Sequence, residues 1–459
     1  MISFYLYIKE GEFYMHFRKI ALDPPKVLVF GFIMIIFIGA SLLSLPVSTV
    51  DGDGLPFIKA LFTATSATCV TGLVVVDTGT TFTIFGQLVI LTLIQVGGLG
   101  FMTFATLFAF LLRKRISLKE RILLQESLNN ISIEGIVRLA KRILFFTAFF
   151  ESIGALILSI RFSFDMPLGK AIYYGIFHSV SNFNNAGFDL MGEFRSLTGY
   201  VDDPTVVLTI SSLIVIGGIG FIVMNDIFEY RSTRRVSLHT KVVLSTTIWL
   251  LLAGTLIIFL LEFSNSKTLG PLSTEGKMLG ALFQSVTART AGANTISIGD
   301  MTQSALFLTI LLMFIGASPG STGGGIKTTT FATLIGAVWS QIRGREDVVL
   351  FRRRVGYEII YKALTVTFSA LVLIMVMAML LTITEEGYDF LMILFETTSA
   401  FATVGLSMGL TPHLSPAGEI IITIMMLAGR VGPLTVAFAI TLRRKQNPYK
   451  YPKGKIMIG

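Results

Sequence analysis

Long apolar runs alternate with short polar or basic stretches along this chain, and the alternation is periodic. Runs near or above the roughly 20 residues a helix needs to cross ~30 Å of hydrocarbon occupy 26–46, 82–112, 143–161, 204–228, 242–262, 304–340, 361–384 and 420–441. Within each successive pair lies a shorter segment, at 55–68, 170–184, 277–289 and 388–402. About 12–14 helical residues rise only ~20 Å, so such a segment enters a membrane and has to return to the side it came from. The order long, short, long, then basic recurs four times.

The repetition holds at single residues. Each short segment starts with an aliphatic–Phe pair: Leu61-Phe62, Ile176-Phe177, Leu282-Phe283 and Leu394-Phe395. Four residues after each Phe stands a hydroxyl: Ser66, Ser181, Thr287 and Ser399. A glycine follows, Gly72, Gly187, Gly292 or Gly405, ten residues after the Phe in three repeats and nine in the third. Non-helical backbone at membrane depth is tolerated only inside protein or along a water-filled cavity. Glycine lets carbonyls point one way along a line, and four such loops around an axis make rings of oxygen that replace a cation's hydration shell. The dipole at each short helix's carboxyl end also favours a cation. The predicted fold is therefore an all-α polytopic membrane protein of four membrane–pore-loop–membrane repeats, with eight spans and four re-entrant pore helices around one pore. The divisions are an N-terminus at 1–25, repeat 1 at 26–112, a linker and repeat 2 at 113–228, repeat 3 at 229–340, repeat 4 at 341–441 and a basic tail at 442–459.

Composition agrees. The 459 residues are 53% hydrophobic and 14% charged, against about 25% charged in a soluble domain. The lone Cys69 excludes an intramolecular disulfide, and four scattered histidines form no ligand pattern. Placing the N-terminus and the basic stretches on one side puts 28 of the 37 Lys and Arg there. By the positive-inside rule that side is the cytoplasm, with both termini on it, in a multi-pass protein of the cell membrane. The glycine loops then open outward, where acids predominate and raise the local cation concentration. The net charge of +9 follows from this topology and calls for no nucleic-acid partner.

Val70-Thr71-Gly72-Leu73, Asn185-Ala186-Gly187-Phe188, Thr290-Ala291-Gly292 and Thr403-Val404-Gly405-Leu406, each after a short helix, resemble the selectivity filters of the Trk/Ktr/HKT superfamily of potassium transporters. The chain looks closest to the bacterial Ktr-type membrane subunit. The resemblance covers about 24–459 and implies a potassium-channel-like fold. It implies potassium uptake, with potassium held by the carbonyls of Cys69, Val70, Thr71 and Gly72, of Asn185, Ala186 and Gly187, of Thr290, Ala291 and Gly292, and of Thr403, Val404 and Gly405. Glycine in all four filters accompanies potassium selectivity in this superfamily, whereas serine in the first accompanies sodium transport in plant relatives. Cys69 and Ala293 are local departures, and neither removes a backbone carbonyl. The resemblance further implies a homodimer on a separate cytosolic ring of nucleotide-binding (RCK/KTN-type) subunits. This chain has no Gly-x-Gly-x-x-Gly after a strand, so nucleotide sensing falls to another chain. No cofactor is expected here beyond the transported potassium, and sodium as a coupling or activating ion stays open against channel-like conduction.

The third repeat's second run is interrupted by Gly316, Ala317, Ser318, Pro319, Gly320, Ser321, Thr322, Gly323, Gly324 and Gly325. Proline and glycines break a helix, and the freed backbone has to line a cavity. The stretch before Lys327 is not a phosphate-binding loop, because Ile326 separates glycine from lysine and no strand precedes it. A plug beneath the filter is the expectation, and the resemblance implies a gating loop here. Gly97-Gly98-Leu99-Gly100 and Gly217-Gly218-Ile219-Gly220 sit at the same depth and read as close-packing residues. Arg430 in Gly429-Arg430-Val431-Gly432 is a charge inside a span, which faces a partner or cavity; the resemblance places it at the gate. Lys327 can snorkel to the cytoplasmic side. Glu151 and Glu396 are the membrane acids, with Glu396 either pairing an arginine or capping pore-helix amides. The chain is not expected to be an enzyme: none of its four histidines opens a His-Glu-x-x-His set. Four short segments also argue against a two-fold inverted-repeat carrier of organic solutes.

Overall fold

The computed structural model describes residues 24–100 and 135–432, with 5–9, 12–16, 103, 124 and 125. The expectations for 113–123 and 126–134, for the ends of the second runs at 104–112 and 433–441, and for the tail at 442–459 lie outside the described residues.

Helices dominate, in a recurring order. The first group is α1 (Pro24–Leu43), α2 (Phe57–Cys69) and α3 (Ile84–Leu99). The second is α4 (Ile136–Phe162), α5 (Leu168–Phe183), α6 (Pro204–Gly218) and α7 (Phe221–Thr233). The third is α8 (Leu238–Glu262), α9 (Thr274–Thr287), α10 (Gln303–Phe314) and α11 (Thr328–Ile342). The fourth is α12 (Tyr357–Thr384), α13 (Phe390–Ala402) and α14 (Pro416–Val431). The long helices α1, α4, α8 and α12 are long and apolar enough to cross a membrane. Apolar residues lie on both faces of α8, which exposes Ile248, Trp249, Leu252 and Leu256 while burying Val243, Leu250 and Ile258. That pattern suits helices with protein on one side and lipid on the other.

The four short helices α2, α5, α9 and α13 sit at the centre. Phe62, Phe177, Phe283 and Phe395, the residues that mark the repeat, are each fully buried. At the far end of three repeats a charged side chain ties the two long elements together. Glu262 of α8 accepts from Thr302 N and Oγ1 at 2.8 and 2.7 Å, and Thr302 caps α10. Glu385 beyond α12 accepts from Ser415 Oγ at 2.6 Å, and Ser415 caps α14. In the second group the polarity is reversed: Arg161 of α4 pairs with Asp203, the cap of α6.

Two findings depart from the sequence reading. The fold is not purely helical. Strands β1 (Tyr5–Lys9) and β2 (Glu12–His16) pair antiparallel, as do β3 (Val348–Leu350) and β4 (Arg353–Val355). Phe351 and Arg352 between the latter both have positive φ, 47° and 62°, the two-residue geometry that closes a hairpin. Interruption is also not confined to the third repeat. α3 stops at Leu99 with Gly100 at φ 78°, α6 and α7 meet at 94° with Gly220 at φ 96°, and α14 stops at Val431 with Gly432 at φ 92°. The Gly-x-x-Gly signal read as packing marks a helix break as well.

Candidate functional site: four glycine loops and the loop beneath them

Each short helix ends in the same turn. Val70, Asn185, Thr290 and Thr403 are left-handed, at φ 58°, 60°, 74° and 50°. Two residues later Gly72, Gly187, Gly292 and Gly405 are left-handed again, at φ 91°, 68°, 80° and 92°. A plain strand turns successive carbonyls to opposite sides; alternating handedness turns them to one side. The turn closes by backbone hydrogen bonds, Thr71 N to Ser66 O at 2.8 Å, Ala186 N to Ser181 O at 2.8 Å and Val404 N to Ser399 O at 2.9 Å. In the third repeat the bond spans one residue fewer, Ala291 N to Thr287 O at 3.0 Å. That shorter closure absorbs the missing residue between Phe283 and Gly292.

The four loops meet in a ring. A Cβ on Gly72 would strike the carbonyl oxygen of Ala186, one on Gly187 that of Ala291, one on Gly292 that of Val404, and one on Gly405 that of Thr71. The same added carbons would lie 3.4, 2.9, 3.1 and 3.0 Å from the Cα of the next ring glycine. The contacts run in chain order and close on themselves, so each glycine is required by its φ and by its neighbour's backbone.

The recurring hydroxyl now has a role that the sequence did not reveal. Ser66 Oγ and Ser399 Oγ accept from the ring glycines' own N–H groups, Gly72 N at 3.0 Å and Gly405 N at 3.1 Å. Ser181 Oγ donates to Phe188 O at 2.7 Å and Thr287 Oγ1 to Ala293 O at 2.5 Å. Each pins the loop to its helix. Ser66→Ala leaves a buried N–H unpaired, which costs about 1–3 kcal/mol. Its expected result is a lower thermal unfolding midpoint in detergent, with the fold retained.

Cys69, three residues before Gly72, is fully buried. A membrane-impermeant thiol reagent added outside is expected to leave it unlabelled in the folded protein and to label it after denaturation. Mass spectrometry of the intact chain checks this.

Residues 316–325 form an irregular segment between α10 and α11, packed against the helix-end side of the ring. Gly324 N donates to Thr403 Oγ1 at 3.0 Å, and Thr322 Oγ1 to Phe183 O at 3.3 Å. A Cβ on Gly323 would strike Thr290 Oγ1, and the Asn185 amide lies 3.1 Å from that same hydroxyl. The segment thus meets the left-handed residues of repeats 2, 3 and 4. It also fills the break between α6 and α7: Ser318 N donates to Gly218 O at 3.0 Å and Phe221 N to Gly320 O at 2.8 Å. Ser318 and Thr328 hydroxyls are 2.9 Å apart, and Ser321 Oγ donates to Ser318 O at 2.6 Å.

Arg430 reaches this segment from α14. Its guanidinium donates to Thr322 O, Gly97 O and, at 3.2 Å, Gly98 O. Three carbonyls answer a charge that costs several kcal/mol unanswered inside a membrane. Lys327 does not snorkel. Its Nζ folds back to Gly323 O at 2.7 Å and Gly324 O at 3.3 Å, because those carbonyls are freed by the helix break. Glu396 neither pairs with an arginine nor caps helix amides. It accepts from Ser407 Oγ, Met408 N and Thr411 Oγ1 at 2.5, 3.0 and 2.8 Å, holding the loop after Gly405. Glu151 accepts from Asn184 Nδ2 at 2.9 Å and Gln95 Nε2 at 3.3 Å. On the opposite side of the ring, burial pushes the Asp189 carboxyl up to about 6 and nearby Asp77 adds to the rise. Asp77 itself accepts from Phe194 N at 2.7 Å and Thr80 N at 2.9 Å, joining the loops after the first two ring glycines.

A helical fold with four long apolar helices among the described residues, enclosing a closed ring of backbone carbonyls and glycines, is the form of a membrane transport protein. The family described as TrkH, cation transport protein, matches residues 26–448. The chain is 48% identical over 442 residues to the Ktr system potassium uptake protein B of Bacillus subtilis (strain 168), covering 96% of this chain and 98% of that one. It is 41% identical to the Ktr system potassium uptake protein B of Vibrio alginolyticus, covering 95% of each. It is also 41% identical to the potassium/sodium uptake protein NtpJ of Enterococcus hirae, covering 95% and 98%. The crystal structure of the potassium transporter TrkH from Vibrio parahaemolyticus shares the fold, with TM-score 0.73, 17% identity and coverage of 93% and 86%. The chain belongs to the TrkH family of cation transport proteins, and is a transporter rather than an enzyme.

Proposed function

We propose that the chain carries potassium into the cell through the ring at Gly72, Gly187, Gly292 and Gly405. The observation that carries the reading is the closure of that ring in chain order, with glycine at every corner. Carbonyls from Cys69 to Gly72, Asn185 to Gly187, Thr290 to Gly292 and Thr403 to Gly405 replace the ion's water. The names of the relatives, potassium uptake proteins at 41–48% identity, support potassium as the ion. Sodium as a coupling or activating ion is the alternative that the potassium/sodium uptake relative favours, and repeating flux assays without sodium separates the two.

In this reading the four helix groups are four repeats of eight spans and four re-entrant helices. The segment 316–325, with Lys327 and Arg430, is the gate. The termini are cytoplasmic, and the chain works as a homodimer on a nucleotide-binding ring supplied by another chain. The phrase "Ktr system" in the relatives' names supports work with other components. Growth of a potassium-uptake-deficient strain at low potassium, paired with potassium flux into liposomes, tests the function. Rescue with flux is expected; the absence of both rescue and flux overturns it.

A further inference from the structure

One buried charge has no part in the filter or the gate just described. Arg289 stands three residues before its ring glycine, where the other repeats carry Cys69, Asn184 and Ala402. It is 7% exposed. Its Nη1 makes one long hydrogen bond, to Thr247 O at 3.5 Å, and its Nε has no acceptor. None of the ion pairs among the described residues includes it. Beside it is a cavity of about 10 Å³, bordered by Thr247, Leu251, Gly218 and Ala317.

The second repeat shows the same place with an acid in it. Ser179 Oγ donates to Glu151 O at 2.7 Å, and Ser285 Oγ donates to Leu251 O at 3.0 Å, so Glu151 and Leu251 are equivalent positions. Glu151 reaches the neutral Asn184, whereas Leu251 only borders the cavity beside the cation. The carboxylate is in one repeat and the guanidinium in the next.

Arg289 also sits just past the carboxyl end of α9, where the helix carries partial negative charge. That end faces the ring, and buried charges are poorly screened by salt. We infer that Arg289 weakens cation binding at the third quarter of the ring, and so sets the potassium affinity below that of four equivalent repeats. The inference rests on the proposed filter.

The test compares the full-length protein with R289Q, R289K and L251E in sodium-free detergent. The readout is the potassium concentration that half-saturates the rise in thermal unfolding midpoint. R289Q removes the charge, L251E answers it in place, and R289K keeps it. Half-saturation is expected to fall roughly three- to tenfold in R289Q and in L251E, as for a charge at an effective dielectric near 20, and to stay put in R289K. An unchanged or raised value in R289Q and L251E overturns the inference. So does a lowered midpoint without potassium in both arginine variants while L251E binds as the parent does, since that marks a purely structural arginine. If R289Q does not fold, L251E against the parent carries the same comparison. A parent protein whose midpoint ignores potassium altogether overturns the filter itself.

Discussion

Gly72→Ser is expected to lower the preference for potassium over sodium by roughly tenfold or more. The new Cβ meets the Ala186 carbonyl oxygen, and a non-glycine residue has to hold φ 91°. A residue held in strained left-handed backbone costs on the order of 1–3 kcal/mol, and about 1.4 kcal/mol is a factor of ten. The ring relieves that strain by moving the carbonyl, which spoils the spacing that suits a potassium ion. Sodium and potassium flux into liposomes, measured side by side, check it. An unchanged ratio with normal folding would remove Gly72 from the filter.

Deleting residues 317–324 is expected to raise potassium flux severalfold and to weaken its regulation. The segment packs on the helix-end side of the ring through Gly324 with Thr403 and Thr322 with Phe183, and under the proposed gate its removal unblocks the path. The deletion also frees Arg430 from Thr322 O, although Gly97 O and Gly98 O remain as acceptors. The ring's own contacts lie among residues outside the deleted stretch. Initial uptake rates in the deletion and the parent check this. A folded but inactive deletion would show that the segment supports the ring rather than closing it.

Much of this was legible because four copies were available to compare. A single Gly72 after a short helix is a helix cap; Gly72, Gly187, Gly292 and Gly405 at matched spacing define a shared geometry, and the structure brings them together. The spacing did not reveal what the hydroxyls do. Ser66 accepts from a glycine N–H while Ser181 donates to a carbonyl, and a hydroxyl in sequence does not declare which. Helix breaks at Gly100 and Gly220 were masked by the apolar residues around them, since hydropathy reports burial and not backbone direction. Charged side chains were the least legible. Lys327 settles on carbonyls freed by a break, Glu396 on the loop after Gly405, and Arg289 on little more than one distant carbonyl, and only the fold shows which.

The claim that the four glycine loops form one potassium site is tested most directly by locating a heavy potassium analogue. Crystals of the protein grown in rubidium, measured for anomalous scattering, are predicted to show a peak on the axis bounded by the carbonyls of Thr71, Ala186, Ala291 and Val404. A well-diffracting crystal with no peak there, or with its strongest peak away from that axis, would contradict it.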